Sequence, residues 1–461
     1  MSFDPLTTSE VSHFVGIGGI GMSGLAQLLA AQGKQVTGSD ICPNLQTNRL
    51  ETAGIPIFYG HRADNIRHAT RLIYSSAIKP DNPELLAARS SGLSIYHRAE
   101  LLATLASDYR MVGVSGTHGK TTTSSMIAVM LYLNGLDPTV IVGGEINELE
   151  GHARLGWGPH LVAEVDESDG SLILFSPEVA VVTNIEDDHL DHYGDLGHIV
   201  EAFRQFTSQA NITVGCLDCP AIRAHLNVTL GYSLEGHPDA DYTVEQVVYK
   251  ARSTTARVLE RGAVLGELQL QVIGRHNLTN ALAAVAVGRH LGLKFDQIAQ
   301  GLAQFTGAGR RFQLMGEREG ITFIDDYAHH PSEIRATLSA ARLHERRVVA
   351  VFQPHRYSRS LLLLDEFGPV FEAADEVVVT AIYAAGELDR GLVSGEQVAQ
   401  AVARHHANVH YEPSFEGLKR YLYTHLHPDD LVLFLGAGNL NQIIPELIEP
   451  ARAVLPPALA S

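Results

Sequence analysis

The stretch Met111-Val-Gly-Val-Ser-Gly116-Thr-His-Gly119-Lys120-Thr121-Thr122-Thr123 constrains this chain more than any other. A β-branched run feeds a glycine turn, and a lysine and a threonine open a helix. That is the P-loop order of strand, phosphate-cradling turn and helix. Val114 stands where the first glycine of GxxxxGK[ST] is usual, with Gly113 and Gly116 beside it. The mechanics are unchanged. Backbone N–H groups from Gly116, Thr117, His118, Gly119 and Thr122 surround phosphate. Lys120 reaches the β- and γ-phosphates, and Thr121 offers a hydroxyl to Mg²⁺.

The rest of the chain repeats the alternation of short apolar strand and longer helix, which reads as parallel α/β layers. Its 461 residues suit two to four domains. Ala106–Asp108 and Thr306–Gly309 read as linkers, giving segments 1–107, 108–309 and 310–461. The tail 456–461 is expected to be loose.

The first segment carries Gly16-Ile-Gly18-Gly19-Ile20-Gly21 between a strand and a helix over 22–31, with Asp40 ending the next strand. This fits a dinucleotide fingerprint. A nucleotide diphosphate on the helix N-terminus is expected, and a UDP-sugar presents the same pyrophosphate as NAD. Ser39, Asp40, Ser75, Ser76, His97 and Arg98 stand at further strand ends of this segment, where they meet such a ligand or cap helices.

After the P-loop come Leu161-Val-Ala-Glu164-Val-Asp166-Glu167-Ser-Asp169 and Val179-Ala-Val-Val-Thr-Asn184-Ile-Glu186-Asp187-Asp188-His189. Mg²⁺ takes oxygen ligands, few of them from protein. Glu164 and His189 are the candidates for a metal beside the P-loop. The other acids are expected to be solvated loop residues or helix caps.

Composition bounds the partners. The net charge is −18, with six lysines in the whole chain. This argues against nucleic acid or an anionic membrane as partner. Three cysteines make no disulfide framework, and the Cys216/Cys219 pair reads as chance spacing in a surface loop. The N-terminus shows no export signal, so a cytoplasmic location is expected.

In order, the motifs GIGGIGMSG, GTHGKTTT, AEVDESD, TNIEDDHLDHYG, GRHNLTNALAA, GAGRRF, DDYAHHPSEI, FQPHRYSR and AAGE resemble the Mur ligase family, most nearly its alanine-adding branch. The resemblance implies three domains: a Rossmann-like UDP-sugar domain, a central P-loop domain for ATP, and a Rossmann-like domain for the amino acid. It implies ATP-driven joining of L-alanine to UDP-N-acetylmuramate through an acyl phosphate and a tetrahedral intermediate, with two Mg²⁺ ions, by a monomer or weak homodimer. Thr121, Glu164 and His189 resemble the metal ligands. His276, Asn277 and Asn280 resemble adenine-side contacts, Arg311 the phosphate-contacting arginine and Asp325 the ribose contact. Tyr327, His329, His355, Arg356 and Arg359 resemble the L-alanine pocket.

Lys120, His329, His355 and Arg356 are the expected catalytic residues. His329 and His355 both qualify as the base that takes the amine's proton, and His330 is read as donating a hydrogen bond that fixes the loop before Pro331. Val165 and Ala384 depart from the family pattern. No lysine lies between Lys120 and Lys250, so the carbamylated lysine of several relatives is absent from its usual stretch; the alanine-adding branch lacks it too. The rivals are a recycling ligase that adds a preformed peptide, a nicotinamide-dependent oxidoreductase, and a P-loop regulatory module.

Overall fold

A computed structural model describes residues 10–449; the tail at 456–461 lies outside them. The described residues hold three sheets, and the α/β reading stands. The chain divides into two compact units, with residues 309–449 in the second and nearly all of 10–308 in the first.

The first sheet orders its strands Ile57–Tyr59, Gln35–Asp40, Val11–Val15, Arg71–Tyr74, Ser94–His97, all parallel. Strand order reverses beside Val11–Val15. Such a switch point opens a crevice at the carboxyl ends of the two central strands. Gly16–Gly21 and Ser75–Ser76 leave those ends.

The second sheet has ten strands. The P-loop strand Arg110–Ser115 lies inside it, paired in parallel with His160–Glu164 on one side and Val179–Val182 on the other. The two acidic segments therefore emerge on either side of the P-loop. Helix Lys120–Leu133 buries eleven consecutive residues, Thr121 to Leu131, so it is a core helix rather than an amphipathic surface one.

In the second unit the sheet order is Gln313–Arg318, Ile321–Asp326, Asp430–Leu435, Arg347–Phe352, Glu376–Val379, Val409–Tyr411. All pairs are parallel except the first. The central strands are apolar over most of their length, with polar residues mainly at their ends, because helices cover both faces. Val348, Ala350 and Phe352 pack with Ile334, Leu338, Val398 and Val402 on one face. Val349 and Val351 pack with Leu418, Leu422, Ile444 and Leu447 on the other. At about 1.5–3 kcal/mol for each large side chain buried, this double layer makes a rigid base for the loops at the strands' carboxyl ends.

Cys216 closes the strand Ile212–Cys216 and is buried, so it is no surface-loop residue. Burial pushes its thiol up to about 12, which leaves it unreactive near neutrality. Among the described residues no helix is long and apolar enough to cross a membrane.

Candidate active site

The P-loop is held from behind by the neighbouring strand end. Thr117 N–H donates to the Asn184 carbonyl, and His118 N–H donates to the Asn184 side chain at 2.8 Å. The His118 carbonyl accepts from Thr183 Oγ1 at 2.5 Å and from Asn184 Nδ2 at 3.0 Å. Gly116 sits at φ +135°, where a Cβ would lie 2.1 Å from Thr183 Oγ1. Only glycine tolerates that combination. Gly119 has φ +81°, and its Cβ position is 2.6 Å from Asn280 Oδ1, so the adenine-side candidate Asn280 is packed onto the loop. Asn277 and Asn280 are buried on helix Arg275–His290 and His276 is half-buried.

Lys120 Nζ donates to the carbonyls of Gly116 and Thr117 at 2.7 and 3.2 Å, and to Glu167 Oε1 at 2.8 Å. Burial alone would lower its pKa; Glu167, Glu164 and Asp166 outweigh that and hold the ammonium above its ordinary range. Glu167 is only 2% exposed. This corrects the reading of the AEVDESD acids as solvated, because Glu167 is the buried counter-ion of the P-loop lysine. Burial pushes its carboxyl up to about 7 against the pull of Lys120. His189 Nε2 lies 3.6 Å from the same carboxylate oxygen.

Thr121 Oγ1 donates to Glu164 Oε2 at 2.8 Å, and Gly143 N–H donates to the same oxygen at 2.9 Å. A hydroxyl and a carboxylate oxygen thus converge at the helix start. This is the hard oxygen set that Mg²⁺ takes.

In the first sheet Asp40 Oδ2 accepts the Gly18 N–H at 2.7 Å and Oδ1 the Ile41 N–H at 2.7 Å. The acid shapes the glycine turn. Gly19 caps helix Ile20–Ala31 with no side-chain hydrogen bond, which leaves Ile20 and Gly21 at an uncapped N-terminus. Ser39 is fully buried and donates to Glu84 Oε2 at 2.5 Å, so it belongs to an internal network and not to an open surface. Ser75 accepts the Ile78 N–H through its carbonyl in the turn after its strand. His97 caps helix Arg98–Ala106. Arg98 pairs with Asp166 at 2.6 Å, and Ser76 donates to Asp169 at 2.6 Å. Asp166 is held at about 2: burial would raise it, but Arg98 and Lys120 prevail. Residues 166–169 therefore answer the sugar-nucleotide candidates with Asp166 and Asp169, and the P-loop lysine with Glu167.

In the second unit a row of rings runs Tyr327–His329–His355–Tyr383, with centroids 5.4, 5.6 and 5.7 Å apart. Arg310 and Arg311 both sit over the Tyr327 ring, and Arg311 lies 3.7 Å from Glu333. Asp325 is buried and paired with Arg310 at 3.0 Å. Burial raises its carboxyl despite that arginine. His330 Nδ1 accepts from Ser332 N–H as cap of helix Pro331–Ala341. It fixes the loop as expected but as acceptor, because the helix N-terminus presents donors.

His329 Nδ1 lies 3.0 Å from the Tyr327 carbonyl. A carbonyl only accepts, so Nδ1 carries a proton, and in the neutral ring the lone pair is on Nε2. His355 is the reverse case. Arg359 Nη1 donates to its Nδ1 at 3.3 Å, so the neutral ring has its proton on Nε2. Burial, His329, Arg359 and Arg356 together push His355 down to about 3.

Sequence reading missed Glu167 and Asp166 as partners, Glu84, and the Asn184 brace. The AEVDESD and TNIEDD segments pointed to this region, but their contacts with the P-loop and the first sheet cross 43 to 93 residues of chain.

Family models match the chain at residues 11–110 (Mur ligase family, catalytic domain), 114–288 (Mur ligase middle domain) and 310–438 (Mur ligase, glutamate ligase domain). The chain is 70% identical over 460 residues to the UDP-N-acetylmuramate--L-alanine ligase of Gloeobacter violaceus, covering 100% of this chain and 99% of that one. It is 56% identical to the ligase of the same name from a Synechococcus strain, over 96% of this chain and 92% of that one. A crystal structure of UDP-N-acetylmuramate-alanine ligase from Thermotoga maritima superposes with a TM-score of 0.84 at 32% identity, covering 95% of this chain and 98% of that one. From its first glycine turn to its last sheet, this chain belongs to the Mur ligase family.

Proposed function

We propose that this protein is an ADP-forming ligase that joins L-alanine to the lactoyl carboxylate of UDP-N-acetylmuramate, a cytoplasmic step in building peptidoglycan precursors. The observation that carries the reading is the pairing at the P-loop of Lys120 with the buried carboxylate of Glu167 and of Thr121 with the half-buried carboxylate of Glu164, in a chain 70% identical to a ligase of that name. On this reading residues 1–107 hold the UDP-sugar, 108–309 hold ATP and 310–461 hold the amino acid.

A carboxylate does not acylate an amine at neutral pH, because oxide is a poor leaving group. Its oxygen attacks the γ-phosphorus of ATP, the bond to ADP breaks, and an acyl phosphate forms. The amine attacks the acyl carbon, a tetrahedral intermediate collapses, and phosphate leaves. Phosphoryl transfer asks mainly for positioning and charge neutralisation. Lys120 supplies positive charge by exchanging Glu167 for phosphate oxygens, and Arg311 adds to it. Thr121, Glu164 and His189 are the residues to hold Mg²⁺, which would neutralise phosphate charge as transfer proceeds; a second ion is part of the proposal.

Arg356 and Arg359 grip the alanine carboxylate, for which a planar guanidinium suits better than ammonium. The ammonium of alanine loses its proton to His329, whose Nε2 holds the lone pair. His355 is neutral and presents N–H from Nε2, so it orients the amino acid and does not act as the base.

The test is ADP release with UDP-N-acetylmuramate, ATP and Mg²⁺, with and without L-alanine. Release that requires both substrates, and that falls at least a hundredfold in Lys120→Ala, supports the ligase. Release without an amine acceptor points to a simple ATPase.

A further inference from the structure

The helix that carries Arg359 and follows Arg356 is almost without a core of its own. Tyr357–Leu362 is six residues long and buries only Ser360. Leu361 and Leu362 are 44% and 57% exposed. Apolar packing reaches it only at its two ends, through half-buried Tyr357 and through Leu363 just past the helix, both against the core. The rest of its anchoring is polar. Arg356 stands at φ +66°, ψ 138°, a conformation left almost entirely to glycine and kept only where surroundings over-determine it. Its N–H donates to the Tyr383 carbonyl at 2.9 Å, and its carbonyl accepts from Ser360 N–H at 3.1 Å and Ser360 Oγ at 2.7 Å. Tyr383 N–H returns a bond to the Pro354 carbonyl at 2.8 Å.

The loop that carries Tyr383 continues to Glu387. Its carboxylate accepts the Ser358 N–H at 3.0 Å and the Ser358 hydroxyl at 2.5 Å, satisfying the first turn of the short helix from outside. One carboxylate oxygen lies 4.0 Å from Arg356 Nε. Burial would raise the carboxyl, but the bonds to Ser358 prevail and hold it below its ordinary range, so it is ionised at neutral pH. Glu387 thus does two things with one group: it caps the helix start, and it faces the arginine whose backbone is strained.

We propose that Glu387 is a positioning residue for amino-acid binding: it holds the Arg356 guanidinium in line for the substrate carboxylate by pinning the 355–362 segment to the 382–387 loop. This rests on the reading of Arg356 as a carboxylate grip. Glutamine keeps one acceptor oxygen and loses the charge; alanine loses both.

The test is steady-state kinetics of the full chain for the wild type, Glu387→Gln, Glu387→Ala, Arg356→Ala and the double variant Glu387→Ala/Arg356→Ala. We expect KM for L-alanine to rise about tenfold or more in Glu387→Ala and less in Glu387→Gln, with KM for ATP and for the UDP-sugar within about twofold. In the Arg356→Ala background Glu387→Ala should add little, because a residue acting through another is non-additive with it. A multiplicative double variant, or an unchanged alanine KM in Glu387→Ala beside a raised one in Arg356→Ala, overturns the proposal and leaves the grip standing. An unchanged alanine KM in Arg356→Ala removes the grip and this proposal with it. If Glu387→Ala does not fold, Glu387→Gln carries the same comparison.

Discussion

His355 makes the most direct statement at the scale of one residue. Its folded pKa of about 3 lies below its ordinary 6.5. The unfolded chain therefore binds a proton between those values that the folded chain refuses. Stability rises with pH wherever the unfolded state binds more protons. The chain should lose stability as pH falls from about 6.5 towards 3, and His355→Gln should flatten that part of the profile in urea titrations. An identical profile in the variant would mean that His355 is not held neutral. Lys120→Met should leave Glu167 as a buried acid without its cation. We expect it to lose ADP release at least a hundredfold yet to fold, since Glu167 then takes up a proton; a variant with more than a tenth of wild-type activity contradicts the role given to Lys120. The sequence made Lys120 legible because strand, turn and helix are contiguous. It hid Glu167, 47 residues on, because nothing local tells a solvated acid from one at 2.8 Å from the lysine.

Among elements, the glycine turns were the most readable and the buried polar networks the least. Gly116→Ala should destabilise by about 2 kcal/mol or more, since a positive φ and a collision with Thr183 act together; chemical denaturation measures it. In the first sheet Glu84 is fully buried. It accepts from Ser39 and Asn65 and lies 3.6 Å from His13 and 3.4 Å from His61. Removing one member of such a set strands the others. Glu84→Ala should cost about 3 kcal/mol or more, and Glu84→Gln clearly less. Equal losses would show that charge, not hydrogen bonding, holds that corner. Ser39 reads from sequence as a ligand contact because it ends a strand. Its burial depends on a helix that starts 44 residues later, which no local pattern reveals. The short helix after Arg356 was illegible for another reason: its conformation is dictated by a partner loop, against the local preference of arginine.

At the scale of the molecule, the α/β class and the family followed from motif order along the whole chain, and composition mattered mainly through charge. In a chain of net charge −18, the proposed function asks local cations to meet anionic substrates: Lys120 in the first unit, and Arg311, Arg356 and Arg359 in the second. Binding to the native state should raise the melting temperature by mass action. On this account a non-hydrolysable ATP analogue with Mg²⁺ stabilises the wild type and not Lys120→Met, whereas the UDP-sugar stabilises both. If the analogue stabilises the variant equally, the P-loop is not the ATP site.

The decisive measurement is identification of the product by mass spectrometry after incubation with UDP-N-acetylmuramate, ATP, Mg²⁺ and an equimolar mixture of L-alanine, glycine, L-serine and the Ala-Glu-diaminopimelate tripeptide. The account requires the L-alanyl adduct of the UDP-sugar as the main product, formed one for one with ADP. A tripeptide adduct in its place would move the chain to peptide recycling, and ADP without any adduct would contradict ligation altogether.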